Sequence, residues 1–200
     1  MPLPIDFYFD FSSPFGYFAS RRIDELAARS GRDTVWRPYL MGAIFKITGR
    51  QPLVQHPLVK DYAIHDMQRS ARLYDIPFRY PSKFPLGSVA ACRAYYWLYD
   101  RDPDQAKTLA RAIYTAYFVD DRDISAPQQI LDIAASCGIE RTTLETALGD
   151  PAVKERLRLV NDEAAARKIF GSPFVMVDGE PFWGNDRLDQ VEQWLETGGW

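Results

Sequence analysis

A serine hydroxyl directly ahead of a proline, where a strand gives way to a helix, is the group in this chain best placed to do chemistry. The pair is Ser13-Pro14, within Phe9-Asp10-Phe11-Ser12-Ser13-Pro14-Phe15-Gly16-Tyr17. The apolar run Ile5 to Phe11 reads as a buried strand, and Phe18 to Ser30, with Leu26 and several alanines, reads as a helix. Ser13 falls where an N-cap belongs, and Pro14 at the first helical position, where a missing N–H costs nothing. Unpaired N–H groups and the positive end of the helix dipole would face whatever lies above this turn. The spacing predicts a site that welcomes an anion and offers it a hydroxyl. The plain alternative is that Ser-Pro is a helix cap and nothing more.

A second Ser-Pro stands near the other end, in Phe170-Gly171-Ser172-Pro173, and opens the apolar run Phe174 to Val177. Asp178-Gly179 predicts a tight hairpin, with Glu180 to Trp183 as the return strand. Gly184-Asn185-Asp186-Arg187-Leu188 then begins a helix expected to reach about Leu195.

Ser13-Pro14-Phe15-Gly16 resembles the active-site turn of the thioredoxin superfamily, in which Cys-x-x-Cys opens the first helix. Both cysteines are absent here, so dithiol–disulfide exchange is chemically closed to this turn. Aspartate-Phe-x-Ser-Pro-aromatic followed by Tyr17 resembles the start of kappa-class glutathione transferases and of their bacterial relatives, the 2-hydroxychromene-2-carboxylate isomerases. Gly171-Ser172-Pro173 resembles the superfamily's proline loop, which implies a cis bond before Pro173 and a loop facing the first helix. The resemblance spans the whole chain and is closest to the isomerases.

That resemblance implies an α/β thioredoxin-like fold with a large all-helical domain inserted between its halves. It implies glutathione as cofactor and a small aromatic substrate. Ser13 would be the catalytic residue, donating a hydrogen bond to the glutathione thiolate. Ser172 would offer its backbone N–H and C=O to the cysteinyl unit, with Pro173 fixing their direction. Asn185 and Asp186 would receive the γ-glutamyl end, and Lys60 the glycyl carboxylate. Arg50 stands where the transferases usually carry asparagine, a departure that leaves its contact open. The implied activity is glutathione-dependent cis–trans isomerisation between 2-hydroxychromene-2-carboxylate and trans-o-hydroxybenzylidenepyruvate in aromatic catabolism. A kappa-type transferase or peroxidase, and a non-catalytic thioredoxin-like peptide-binding module, are the alternatives. A homodimer is implied by the same resemblance.

The elements that must position these groups follow from the apolar pattern. Thr34 to Tyr39 is the second strand, stopped near Pro38. Strand signals then nearly vanish until Pro173, and helices are predicted at Leu58–Tyr74, Ser88–Tyr99, Gln105–Val119, Ser125–Cys137, Thr142–Leu148 and Ala152–Lys168. Ser88 and Ser125 are read as their helices' caps. Residues 1–40 and 150–200 are expected to form the thioredoxin-like part, and 41–149 the helical insert. The cleft between them would lie above Ser13, a favoured setting for a small-molecule site.

Composition removes several function classes. A net charge of −3 with acidic and basic residues interspersed favours neither nucleic acid nor an anionic membrane. Met1-Pro2-Leu3-Pro4 leads straight into the first strand, and no apolar run approaches spanning length, so a cytoplasmic protein is expected. Cys92 and Cys137 are expected to be unpaired. His56 and His65 have no metal-ligand spacing around them, so no metal is expected, and neither is placed to activate a serine nucleophile. Phe11, Phe15, Tyr17, Tyr39 and Phe45 are available to a flat substrate, with Phe15 and Tyr17 the chosen candidates.

Overall fold

The computed structural model describes residues 3–200; Met1 and Pro2, read above as leading into the first strand, lie outside the described residues. Four strands, β1 (Ile5–Phe9), β2 (Thr34–Pro38), β3 (Phe174–Val177) and β4 (Glu180–Trp183), form one sheet in the order β2-β1-β3-β4. β1 and β2 are parallel, pairing Phe7 with Trp36, so they need a crossover connection. It is built from α1 (Pro14–Ser20) and α2 (Ile23–Arg29). The single helix expected over 18–30 is thus two short ones, broken at Arg21-Arg22. Arg22 leaves helical geometry with its guanidinium over the Tyr74 ring and its Nη2 on Asp189. β3 runs antiparallel to both β1 and β4, and Asp178 and Gly179 both take positive φ in the hairpin turn between them.

Between β2 and β3 the chain is helical: α3 (Met41–Thr48), α4 (Lys60–Leu73), α5 (Val89–Tyr99), α6 (Pro103–Phe118), α7 (Pro127–Ser136), α8 (Arg141–Gly149) and α9 (Pro151–Ala166). α10 (Leu188–Thr197) closes the fold. α3 was not foreseen. Neither foreseen capping hydroxyl caps its helix: Ser88 holds the N-cap position of α5 but its hydroxyl donates to Asp10, and the Ser125 hydroxyl donates to Asp123. Ala126 takes the N-cap place of α7 with Pro127 as its first residue.

Three buried tyrosines fasten the helical stretch to the sheet. Tyr95 and Tyr96 on α5 donate to the carbonyls of Trp36 (2.9 Å) and Pro38 (2.8 Å), and Tyr114 on α6 donates to that of Asp10 (3.1 Å). Their rings meet Phe7, Phe9, Phe11, Phe18 and Trp36 in one continuous apolar core. Each hydroxyl satisfies a main-chain acceptor within or just beyond a strand, where a buried carbonyl left alone would be costly. The result holds the C-terminal edge of β1 and β2, with the Ser13 turn, rigidly under the helices. Among the described residues no helix is long and apolar enough to cross a membrane, and no His, Cys, Asp and Glu cluster has the arrangement of a metal site.

Candidate active site

Ser13 is the N-cap of α1, in extended backbone geometry, with Pro14 as the first helical residue. Its Oγ accepts the Gly16 N–H at 3.0 Å, so the capping reading is correct as far as it goes. The hydroxyl proton points elsewhere, to the main-chain carbonyl of Ser172 at 2.9 Å. The two Ser-Pro segments, 159 positions apart in sequence, therefore meet through this one bond. The Ser172–Pro173 bond is cis, as the sequence predicts. Ser172 is tied down on both sides: its Oγ accepts the Asp10 N–H at 2.8 Å, and Tyr39 donates to the Gly171 carbonyl at 2.6 Å.

Asp10 organises the floor of this site. Its side chain is only 4% exposed. Oδ1 accepts from the Ser12 N–H (2.8 Å), the Ser12 hydroxyl (2.9 Å) and the Ser88 hydroxyl (2.8 Å), and Oδ2 from the Met41 N–H (2.8 Å). Burial raises its pKa, while these four donors oppose that rise by favouring the charged form. One carboxylate thus joins the Ser13 turn to the first residue of α3 and to the residue preceding α5. Its main-chain carbonyl also accepts the Ser13 N–H at 2.9 Å.

Gly16, at the position of the second cysteine in a Cys-x-x-Cys turn, has no room for a side chain. A Cβ there would lie 2.7 Å from the Tyr114 hydroxyl and 3.0 Å from the Ser172 Oγ. Tyr114 is fully buried, so it has little freedom to yield. Gly16→Ala is expected to destabilise the fold by about 1–3 kcal/mol through overpacking. The denaturation midpoint in urea reads this directly, and an unchanged midpoint would show that Tyr114 swings away freely. Gly171 is constrained likewise, because the Trp183 indole lies where its Cβ would be.

The remaining sequence-predicted residues are placed unevenly. Asn185 is 4% exposed and its Oδ1 has no hydrogen-bond partner. Gly184, not Asn185, is the N-cap of the short turn Asn185–Arg187, and no side chain caps it. Asp186 is exposed and pairs with Arg187 at 2.7 Å, an open contact of small energetic weight. Pro173 is buried, and its carbonyl accepts the Gly184 N–H at 3.1 Å, which brings the Asn185 turn beside the proline loop. Lys60 is exposed at the first residue of α4. Arg50 lies 5.5 Å from the Phe170 ring centre and 5.9 Å from that of Trp183, next to the proline loop. Phe15 is half-buried against Phe18. Tyr17 corrects an expectation: it is 2% exposed, stacked on Phe118, and its hydroxyl donates to the Pro77 carbonyl at 2.9 Å. It belongs to the core, as do Phe11 and Tyr39. A surface cavity of about 450 Å³, lined by Gln68, Arg72 and Phe78 among others, includes none of the site residues.

Residues 4–196 match the DSBA-like thioredoxin domain family. The chain belongs to that family. Among curated relatives, the 2-hydroxychromene-2-carboxylate isomerase of Sphingobium xenophagum is 32% identical, covering 98% of this chain and 99% of its own. A solved structure of a 2-hydroxychromene-2-carboxylate isomerase superposes with a TM-score of 0.86 at 29% identity, over 97% of this chain and 95% of that one. Glutathione S-transferase kappa 1 of Rattus norvegicus is 23% identical over 97% of this chain and 93% of its own.

This DSBA-like thioredoxin chain keeps the frame of a redox turn and replaces its sulfurs. Ser13 substitutes a hydroxyl for the first, and Gly16 surrenders the space of the second to Tyr114 and Ser172. Asp10 is a site residue to which the sequence analysis assigns no role. The signal was available: a carboxylate inside the run Phe7-Tyr8-Phe9-Asp10-Phe11 is buried, and a buried carboxylate must be hydrogen-bonded. Tyr114 carried no local signal, since its spacing on α6 is that of an ordinary core residue.

Proposed function

We propose that this chain is a glutathione-dependent isomerase that interconverts 2-hydroxychromene-2-carboxylate and trans-o-hydroxybenzylidenepyruvate. The observation that carries the reading is the hydroxyl of Ser13 standing in the thiol position, directly against the carbonyl of the residue before the cis proline. A hydroxyl there cannot exchange disulfides, but it can donate to a sulfur that a ligand brings.

The residues present fit glutathione. Asn185 holds a buried, orphaned Oδ1 beside the proline loop, an acceptor suited to an ammonium or amide N–H. Ser172 presents main-chain groups to the cysteinyl unit in the manner of a strand edge. Asp186 would add negative charge for the γ-glutamyl ammonium, and Lys60 positive charge for the glycyl carboxylate. Bound glutathione would supply the nucleophilic thiolate for reversible addition to the conjugated double bond of the ring-opened substrate, which would permit rotation before the thiol is returned.

The work left to the protein is to ionise the thiol. Its reference pKa is near 8.5, and lowering it by about two units requires ~2.7 kcal/mol. A hydrogen bond from Ser13 to charged sulfur contributes about 1.5–3 kcal/mol. α1 has only seven residues, so its dipole adds little and the hydroxyl is the main agent. The kappa-class likeness favours a second reading, a transferase using the same ionised thiol, which differs in consuming glutathione.

In this reading residues 41–149 form a helical domain that roofs the cleft over the thioredoxin-like part, 1–40 and 150–200. Half-buried Phe15 lines the aromatic subsite. The enzyme acts as a cytoplasmic homodimer in aromatic catabolism, where the unpaired Cys92 and Cys137 suit a reducing compartment.

Calorimetric titration with glutathione tests the cofactor; absence of binding would leave a peptide-binding module as the better account. Asn185→Leu separates ligand contact from structure. Removing a buried, unsatisfied amide oxygen is expected to leave the unliganded melting temperature equal or higher. Glutathione affinity should fall about 5- to 15-fold with the lost acceptor. A variant that melts lower yet binds glutathione normally would assign Asn185 to the fold alone.

A further inference from the structure

We propose that the Ser13–Ser172 hydrogen bond makes this site selective for thiols carried on a peptide backbone, because that bond must be displaced before the hydroxyl can serve a sulfur. The inference rests on the reading of Ser13 as donor to a bound thiolate and adds a condition to it.

A serine hydroxyl has one proton. On Ser13 the oxygen's acceptor side is held by the Gly16 N–H at 3.0 Å, and the proton is committed to the Ser172 carbonyl at 2.9 Å. Neither end of that bond shifts easily. The oxygen is anchored by its cap. The carbonyl belongs to a loop fixed by Asp10 N–H on Ser172 Oγ, by Tyr39 on the Gly171 carbonyl and by Gly184 N–H on the Pro173 carbonyl. The O–H torsion is the moving part.

A simple thiol entering this site takes the proton from the carbonyl and gives the carbonyl nothing in return. A cysteinyl peptide laid along the loop brings its own amide N–H to the Ser172 carbonyl, as a strand pairs at an edge. The carbonyl then keeps a donor when the hydroxyl turns to the sulfur. Backbone pairing and thiol activation become one event, and the discriminating group on the ligand is the cysteinyl N–H. A carbonyl oxygen has two lone pairs. If it accepted both donors at once, the hydroxyl would not be released, and the measurements below would show it.

S-methylglutathione keeps the peptide N–H and has no thiolate to receive the hydroxyl. Its binding to the native chain sacrifices the Ser13–Ser172 bond, whereas in Ser13→Ala the carbonyl is free beforehand. Calorimetry is expected to show Ser13→Ala binding S-methylglutathione about 2- to 10-fold tighter than the native chain. Equal or weaker binding overturns the proposal. A second measurement uses the native chain alone: thiolate ultraviolet absorbance against pH, at saturation, for glutathione and for the analogue with an ester oxygen in place of the cysteinyl N–H. The expected result is a lowered thiol pKa for glutathione and one near its solution value for the ester, giving roughly tenfold or more difference in thiolate fraction at neutral pH. Equal lowering in both overturns the selectivity and leaves Ser13 as thiolate donor. No lowering for glutathione itself overturns the Ser13 reading with it.

Discussion

Ser13→Ala is expected to lower isomerase turnover about 10- to 150-fold, the loss of one hydrogen bond to charged sulfur. Glutathione affinity should change no more than about threefold, because the backbone contacts at Ser172 and the Asn185 turn remain. The variant also loses the N-cap bond to the Gly16 N–H, which costs about 0.5–2 kcal/mol of stability. Ser13→Gly separates the two effects: glycine caps within a few tenths of a kcal/mol of serine, yet has no hydroxyl. Turnover should fall equally in both variants while stability falls mainly in the alanine one. The pH profile adds a further signature. Thiolate forms as pH rises, so the variants should recover activity as pH climbs toward ~8.5, the free thiol's pKa. The native enzyme should already be near its plateau at neutral pH. Turnover within threefold of native in both variants would reduce Ser13 to a cap.

The frame of the site is readable in the sequence because it is local. Ser13-Pro14 marks a helix start, Ser172-Pro173 a strand start and Asp178-Gly179 a turn by nearest-neighbour chemistry, and the four strands fall where those signals put them. What escaped is supplied from a distance. α3 was missed because the N–H of its first residue, Met41, is satisfied by Asp10, 31 positions earlier, and no capping residue stands beside it. Ser88 looked like a cap and is one by position, but its hydroxyl is drawn to the same carboxylate. Tyr17 looked like a pocket aromatic because it follows the turn directly. The helical pitch instead rotates it onto Phe118 and Tyr114 in the core, while Phe15 stays half-buried.

Two of the site's features lie between these cases. Asn185 enters the site by resemblance alone. Gly184 occupies the cap position of the turn, and the buried Oδ1 of Asn185 has no partner. Arg50 was left open as a departure. Its guanidinium rests near two rings of the proline-loop region, a placement that no local pattern around Gly49-Arg50-Gln51 announces.

Isomerisation of 2-hydroxychromene-2-carboxylate is expected to require glutathione and to consume none. Among the described residues the Ser13 hydroxyl is bonded to the Ser172 carbonyl and the Gly16 N–H and to no histidine, and the turn Ser13-Pro14-Phe15-Gly16 carries no cysteine. In the proposed reading the reaction waits on a thiol brought in, and a thiol that adds and leaves would be returned at every cycle. Following substrate ultraviolet absorbance and free thiol in the same cuvette tests both halves. Without glutathione the rate should match the uncatalysed one. With glutathione well below the substrate concentration, conversion should run to equilibrium while the thiol titre stays constant. Turnover in the absence of any thiol would refute addition as the route. Thiol lost in step with substrate would assign the chain to the transferase reading, in which the same ionised sulfur stays on the product. The hydroxyl of Ser13 serves either outcome; what decides between them is whether the adduct's carbon–sulfur bond breaks again before release.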